Sequence, residues 1–301
     1  MAITSACQES REVRVQRFLM RGNEMIRRNN PDQAERFFRE AIILDSCFAD
    51  AWNNLGTVQF NRGQNAEAIE SYSHALMCRP DFVDAWINRA NVGYKMGDWS
   101  RALGDLDKAQ ELKPDTAVIP HLRGLIYTAA RDYGAAKTEF RKLLKRDREN
   151  AEAWINLGAV LYYEGKLDSA QLVIETAVGM APDEPNAYNI LALIGIDEGN
   201  YDQAMDYIEK ALSLRPDDPY FLNNRAYVLL MTGKLPEALS EIDKSIVKDP
   251  LNAWAYRNKG IYYYLSGDPV NAVRLLERAL EMDSTVREAK QYLKLALEKK
   301  G

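Results

Sequence analysis

Asn54, Asn88, Asn156, Asn224 and Asn258 stand apart by multiples of 34 residues, and no other residues of this 301-residue chain so plainly combine a reactive group with a regular spacing. A primary amide carries a donor and an acceptor side by side, so it can pair with the N–H and C=O of a peptide whatever that peptide's side chains are. Repeated along one face, such amides would form a ladder for backbone recognition. The same asparagines could equally be framework, and both readings stand on the sequence. Catalysis finds no comparable support. There is no glycine-rich phosphate loop, no His-Glu-x-x-His and no Cys-x-x-Cys, and the two histidines, His74 and His121, are far apart with no ligand-spaced Cys, Asp or Glu around either. The chain is expected to be no enzyme and to need neither cofactor nor metal.

The asparagines ride on a longer pattern. Ala34, Ala68, Ala102, Ala136, Ala170, Ala204, Ala238 and Ala272 recur every 34 residues without a slip. Twelve positions before each stands a small residue: Gly22, Gly56, Ala90, Gly124, Gly158, Ala192, Ala226 and Gly260. Two antiparallel helices approach closely only where the facing side chains are small, so these positions mark crossings within a helix pair. Gly63, Gly97, Gly165, Gly199, Gly233 and Gly267 fall where the chain must turn from one helix to the next. Pro185 and Pro219 open first helices, and Pro31, Pro236 and Pro269 open second ones, where a missing N–H is harmless. Pro120 lies one turn into its repeat, so that helix is expected to start late. The pattern of Trp52, Leu55, Gly56, Ala68, Tyr72 and Pro80 resembles the tetratricopeptide repeat, a helix-turn-helix of this period.

The resemblance implies an all-α fold, an α-solenoid wound as a right-handed superhelix. Repeats are expected at 15–48, 49–82, 83–116, 117–150, 151–184, 185–218, 219–252 and 253–286, after an N-terminal segment 1–14 and before a C-terminal capping helix in 287–301. With no room for a linker, these read as one elongated domain. In the cap, Arg287, Glu288, Lys290, Lys294, Glu298 and Lys299 are expected to form the polar outer face, with Ala289, Tyr292, Leu293 and Ala296 facing inward. First helices of such arrays line a concave groove, and some members hold peptides there through asparagines at the position of Asn54, Asn88, Asn156, Asn224 and Asn258. Tyr94, Tyr162, Tyr227 and Tyr264, with Phe60, Ile87 and Leu125, would give that groove an apolar lining suited to a peptide or helix of a protein partner. The carboxylate clamp of chaperone-binding members has no matching triplet of repeats here. Cations at the seventh position are expected to pair with acids eighteen residues on: Arg89 with Asp107, Arg225 with Asp243, Lys259 with Glu277. The fourth repeat has Arg141 at that partner position and lacks Trp, groove Asn, turn Gly and closing Pro.

Composition narrows the partners. A formal charge of −5 and an isoelectric point near 5.4 argue against nucleic acid, which needs a basic stripe. Lys137, Arg141, Lys142, Lys145, Arg146 and Arg148 form one basic cluster, read as a solvated helix surface. Cys7, Cys47 and Cys78 do not suggest a disulfide framework, and Cys47 and Cys78 read as structural. Cys7 follows small residues as in the cleavage box of bacterial lipoproteins, yet Ser5 and Gln8 would also suit a helix capping box. Lipidation at Cys7 would be the one link to a membrane. The sequence leaves open a cytoplasmic protein and an anchored periplasmic lipoprotein. The expected function is an interaction scaffold, in its more specific version a lipoprotein assisting assembly of a membrane complex; the alternative is a targeting or regulatory subunit of a separately encoded enzyme.

Overall fold

The computed structural model describes residues 10–300, so Cys7 and the segment around it lie outside the described residues. Every described element is helical. In chain order they are α1 (Arg11–Arg27), α2 (Pro31–Leu44), α3 (Ala49–Asn61), α4 (Asn65–Cys78), α5 (Val83–Met96), α6 (Trp99–Leu112), α7 (Val118–Ala129), α8 (Tyr133–Arg146), α9 (Ala151–Tyr163), α10 (Leu167–Met180), α11 (Pro185–Asp197), α12 (Tyr201–Leu214), α13 (Pro219–Met231), α14 (Leu235–Lys248), α15 (Ala253–Leu265), α16 (Pro269–Met282) and α17 (Ala289–Lys300). Odd numbers up to α15 are the first helices of the repeats and even numbers the second. Two compact units result, one ending at Leu143 and one beginning at Leu144, with the division inside α8.

Each helix pair closes on one recurrent contact. The small residue of the first helix faces a large side chain sixteen positions later on the second. Phe38, Tyr72, Leu106, Phe140, Ile174, Ile208, Ile242 and Leu276 occupy that position, all sealed from solvent. A Cβ added at Gly22 would lie 2.3 Å from the Phe38 ring, at Gly56 2.8 Å from Tyr72, and at Gly124 2.6 Å from Phe140. Burial of each such side chain stabilises its pair by roughly 1.5–3 kcal/mol. Against aromatic rings only glycine is found. Alanine (Ala90, Ala192, Ala226) appears where the partner is the slimmer Leu106, Ile208 or Ile242. The ruler alanines from Ala34 to Ala272 are likewise fully buried.

The turns within the pairs show why glycine recurs. Gly63, Gly97, Gly165, Gly199, Gly233 and Gly267 hold φ between 75° and 83°, in the left-handed region. The two repeats without that glycine adopt the same conformation with a side chain present, Asn29 at φ 53° and Arg131 at φ 60°. Asparagine tolerates this region; arginine pays about 1 kcal/mol for it. Pro31, Pro185, Pro219, Pro236 and Pro269 fall in the first two residues of their helices, as expected. The helix that carries Pro120 starts late, as expected, but by one residue only: the first helices α3, α5, α9, α11, α13 and α15 begin on the first residue of their repeats and α7 on the second. Helix α7 begins at Val118, so Pro120 sits in the first turn, where its N–H would have had no intrahelical partner.

The cysteines require a correction. Cys47 and Cys78 are joined in a disulfide across 31 residues, with Cα atoms 5.3 Å apart. Cys47 lies in the turn between α2 and α3 and Cys78 at the end of α4, so stacking of the first two repeats brings the two chain reversals together. Trp52 stacks on His74 beside them, with ring centroids 4.5 Å apart, which gives His74 a packing role.

Candidate functional site

The asparagine row is present, and its amides are turned along the stack. In the first unit the Asn88 amide donates to Asn53 Oδ1 (3.0 Å), Asn53 to Asn54 Oδ1 (3.2 Å), and Asn54 to Asn23 Oδ1 (2.9 Å). This relay runs through the first helices of three consecutive repeats. In the second unit Asn224 donates to Asn189 Oδ1 (2.8 Å), and Asn258 to both the side chain and the backbone carbonyl of Asn223. An amide proton satisfied by the neighbouring repeat is withdrawn from a visiting peptide. For Asn258, which is 0% exposed, the expectation of partner contact is overturned: it is a repeat-to-repeat bolt. Asn54, Asn88, Asn156 and Asn224 are half-buried and keep part of their surface.

The tyrosines divide between the units. In the first, Tyr94 is half-buried and rests, with Ile87 and Leu125, on the core cluster of Leu106, Leu122 and Ile126. Phe60 is half-buried against Tyr72 and Val92. Residues at the fifth, ninth and twelfth positions of a repeat share one helical face, which is where Ile87, Leu125, Phe60 and Tyr94 fall. In the second unit the expected groove tyrosines are covered: Tyr162 is 6% exposed and Tyr227 7%. What covers them is the approach to α17. Arg287 donates to Asp197 (2.8 Å) and lies over the Tyr162 ring (5.8 Å), while Glu288 accepts from the Tyr227 hydroxyl at 3.0 and 2.9 Å. Tyr292 meets Tyr264 edge-on at 5.6 Å.

Beneath Glu288 lies Arg257, 6% exposed, flanked by the rings of Tyr227 (4.6 Å) and Trp254 (4.9 Å) and paired with the Glu288 carboxylate at 3.3 Å. Burial draws the guanidinium below its ordinary value and the nearby Glu288 charge opposes that shift. Burial, and then the charge of Glu288, push the Tyr227 hydroxyl well above the phenol range, so it remains a donor. Glu288 therefore does not belong to the polar outer face of the cap expected from the sequence, whereas Arg287 is exposed as expected while bonding Asp197. The chain departs from the repeat register at Glu288 (φ 61°), and α17 begins only at Ala289. Ala289 and Ala296 are buried as a cap requires.

The seventh-position cations are paired, but at sixteen residues and not eighteen. Arg89 bonds Asp105 through two nitrogens (2.8 and 2.7 Å) and also reaches Ser73, and Arg225 bonds Glu241 (2.5 Å). Asp107 and Asp243, the acids assigned to Arg89 and Arg225, instead take the cation of the following repeat: Arg123 with Asp107, Lys259 with Asp243 (2.7 Å). One acid position serves within the repeat and the other stitches it to the next, a distinction that spacing along one repeat does not carry. In the basic cluster Arg141, Lys142, Lys145, Arg146 and Arg148 are exposed, and Lys142 pairs with Glu139 at 2.6 Å.

Antiparallel helix pairs repeated at a fixed period and packed on their neighbours define a helical-repeat solenoid, a class of protein that works by surface recognition. The chain belongs to the tetratricopeptide repeat family, whose models match residues 49–82, 127–194, 185–218 and 207–240. It is 26% identical over 177 residues to anaphase-promoting complex subunit 3 of Schizosaccharomyces pombe (strain 972 / ATCC 24843), a match that covers 59% of this chain and 22% of that one. Among solved structures it resembles yeast Tom70, with a TM-score of 0.66 at 20% identity, covering 100% of this chain and 66% of that one. It also resembles a chain of the APC/C hetero-tetramer Cut9-Hcn1, with a TM-score of 0.66 at 15% identity, covering 97% and 71%. At these identities the structural likeness is one of fold.

Proposed function

We propose that the chain is a non-catalytic protein-interaction scaffold, and that the first-helix face of its first unit, the concave groove of the family, receives a partner segment with apolar side chains. One observation carries this reading. Phe60, Ile87, Tyr94 and Leu125 share a face and stay partly exposed beside the amide row of Asn53, Asn54 and Asn88, whereas Tyr162 and Tyr227 of the second unit are covered by the chain's own C-terminal segment. Apolar surface left open between polar groups favours a ligand that buries it. The amide row then acts chiefly by holding the three helices in register, with the aromatic and aliphatic side chains supplying the affinity.

The test is photocrosslinking from position 94 in cells, with position 142 on α8 as control. Capture of one protein from position 94 and not from 142 is the expected result, and Tyr94→Ala should weaken that complex at a temperature where circular dichroism shows the variant still folded. Capture from 142 alone would place the site on the basic surface and refute the reading. Should the captured protein be an enzyme held in stoichiometric amount, the scaffold serves as its targeting subunit.

A further inference from the structure

We propose that the first-helix face of the second unit is a second binding site, selective for a carboxylate followed one helical turn later by an aromatic residue, and that Glu288 and Tyr292 of the chain's own tail occupy it as a built-in competitor. This surface is distinct from the first-unit face and does not rest on it.

The receptor is assembled from four first helices. Tyr162 comes from α9, Asp197 from α11, Tyr227 from α13, and Trp254, Arg257 and Tyr264 from α15. Arg257 is the centre. A guanidinium buried against two rings is tolerated when a carboxylate meets it, and here that carboxylate arrives from another part of the chain, with the Tyr227 hydroxyl bonded to both of its oxygens. Arg257 is itself aimed by its Nε bond to Asn258 Oδ1 (3.0 Å), and Asn258 is fixed by Asn223. The cation is thus held by the repeats, and the anion by the tail.

The tail enters as a ligand would. From α3 to α15 each first helix begins at or next to the first residue of its repeat, but α17 starts two residues into the corresponding stretch, after a non-glycine residue in the left-handed region. That conformation is strained for a residue with a side chain, which favours release. Polar contacts hold its leading end: Arg287 to Asp197 and Glu288 to Tyr227 and Arg257. Tyr292 follows one turn on, packed between Tyr227 and Tyr264. Ala289 and Ala296 are buried in the last repeat's cluster, and Tyr292 packs on it as well, so α17 also caps the stack. Loss of the leading contacts uncovers Arg257 and Tyr227, and the place of Tyr292 opens when the first turns of α17 lift with them. A partner segment carrying the same pair of groups would then take their place.

The experiment uses the full chain and, as probe, a labelled peptide with the sequence of residues 284–300. Arg287→Ala combined with Glu288→Gln should loosen the tail, raise hydrogen exchange at the start of α17, and let the peptide bind at least tenfold more tightly than it binds wild type. In that background Tyr227→Phe, which keeps the ring and deletes the hydroxyl, should weaken the peptide several-fold, and Glu288→Gln placed in the peptide should do the same. Equal binding to wild type and to the loosened chain overturns the proposal. So does a Gln-bearing peptide that binds as well as the Glu form, or unchanged exchange at α17 in the double variant. Crosslinking from position 94 reads the other unit, so failure here leaves that result untouched, and the reverse holds.

Discussion

Gly124 and Phe140 offer the sharpest test of how the repeats are locked. A Cβ on Gly124 would lie 2.6 Å from two atoms of the Phe140 ring and 3.0 Å from a third, so the ring must withdraw by about 0.8 Å to reach ordinary contact at 3.4 Å. Phe140 is fully buried and its ring is stiff, which leaves the helices to separate. Overpacking of this kind costs about 1–3 kcal/mol, and the better helix propensity of alanine returns about 1 kcal/mol. Gly124→Ala should therefore destabilise by up to about 2 kcal/mol. Phe140→Leu alone leaves a void and should cost about 1–2 kcal/mol. Combined, the pair becomes that of Ala90 and Leu106 in the third repeat, so the double variant should lose far less than the sum, with a coupling of about 1–2 kcal/mol. Denaturant unfolding read by hydrogen exchange in α7 and α8 reports it locally. Additive losses within 0.3–0.5 kcal/mol would show that the two residues do not face each other, and would refute the account of why glycine meets aromatic rings in this array.

Other consequences follow from the same contacts. Arg131→Gly should raise the stability of the fourth repeat by about 1 kcal/mol in a thermal melt, since it relieves a left-handed arginine; no gain would mean that the turn is unstrained. Asp105→Ala strands the mostly buried Arg89 and should cost about 3 kcal/mol, partly regained with Arg89→Leu. Reduction of the disulfide between Cys47 and Cys78 should lower the stability of the first unit by roughly 3–4 kcal/mol, the loop entropy of 31 residues, as read by melts with and without reductant. For Glu241, burial raises the carboxyl but the bonds from Lys244 and Arg225 outweigh it, so the folded value lies below the ordinary 4.5. Its contribution is complete above pH 4.5 and disappears as pH falls through the folded value, so Glu241→Gln should flatten stability loss in that acid window.

The architecture was largely legible because it depends on local spacing. A 34-residue period, glycine where φ is positive and proline at helix starts are each set by a few bonds along the chain. The opposition of Gly124 to Phe140 was half visible: the small residue was plain, its partner sixteen positions on less so. What the spacing hid were contacts between repeats. Asn88 and Asn53 are 35 residues apart and on different helices, so the type of residue suggested a peptide ligand while its bond goes to a neighbour. The ion pairs were displaced for the same reason, since Asp107 could serve its own repeat or the next. Glu288 and Tyr227 are 61 residues apart, and nothing periodic relates them. Arg257 did carry a signal: a cation beside Trp254 in a packed helix needs an anion, and the sequence did not say where that anion lay.

The disulfide gives the first unit a mechanical asymmetry. A stack of helix pairs held by contacts between neighbours should, when drawn out from its N-terminus, yield pair by pair in steps of similar length. The covalent tie from Cys47 to Cys78 encloses 31 residues, and at about 3.3–3.6 Å each these hold back roughly 100 Å of contour that force cannot release without reduction. Under tension the load crosses from Cys47 to Cys78 through the S–S bond, so later repeats still yield in turn while the length of the second helix pair stays hidden until the bond is cut.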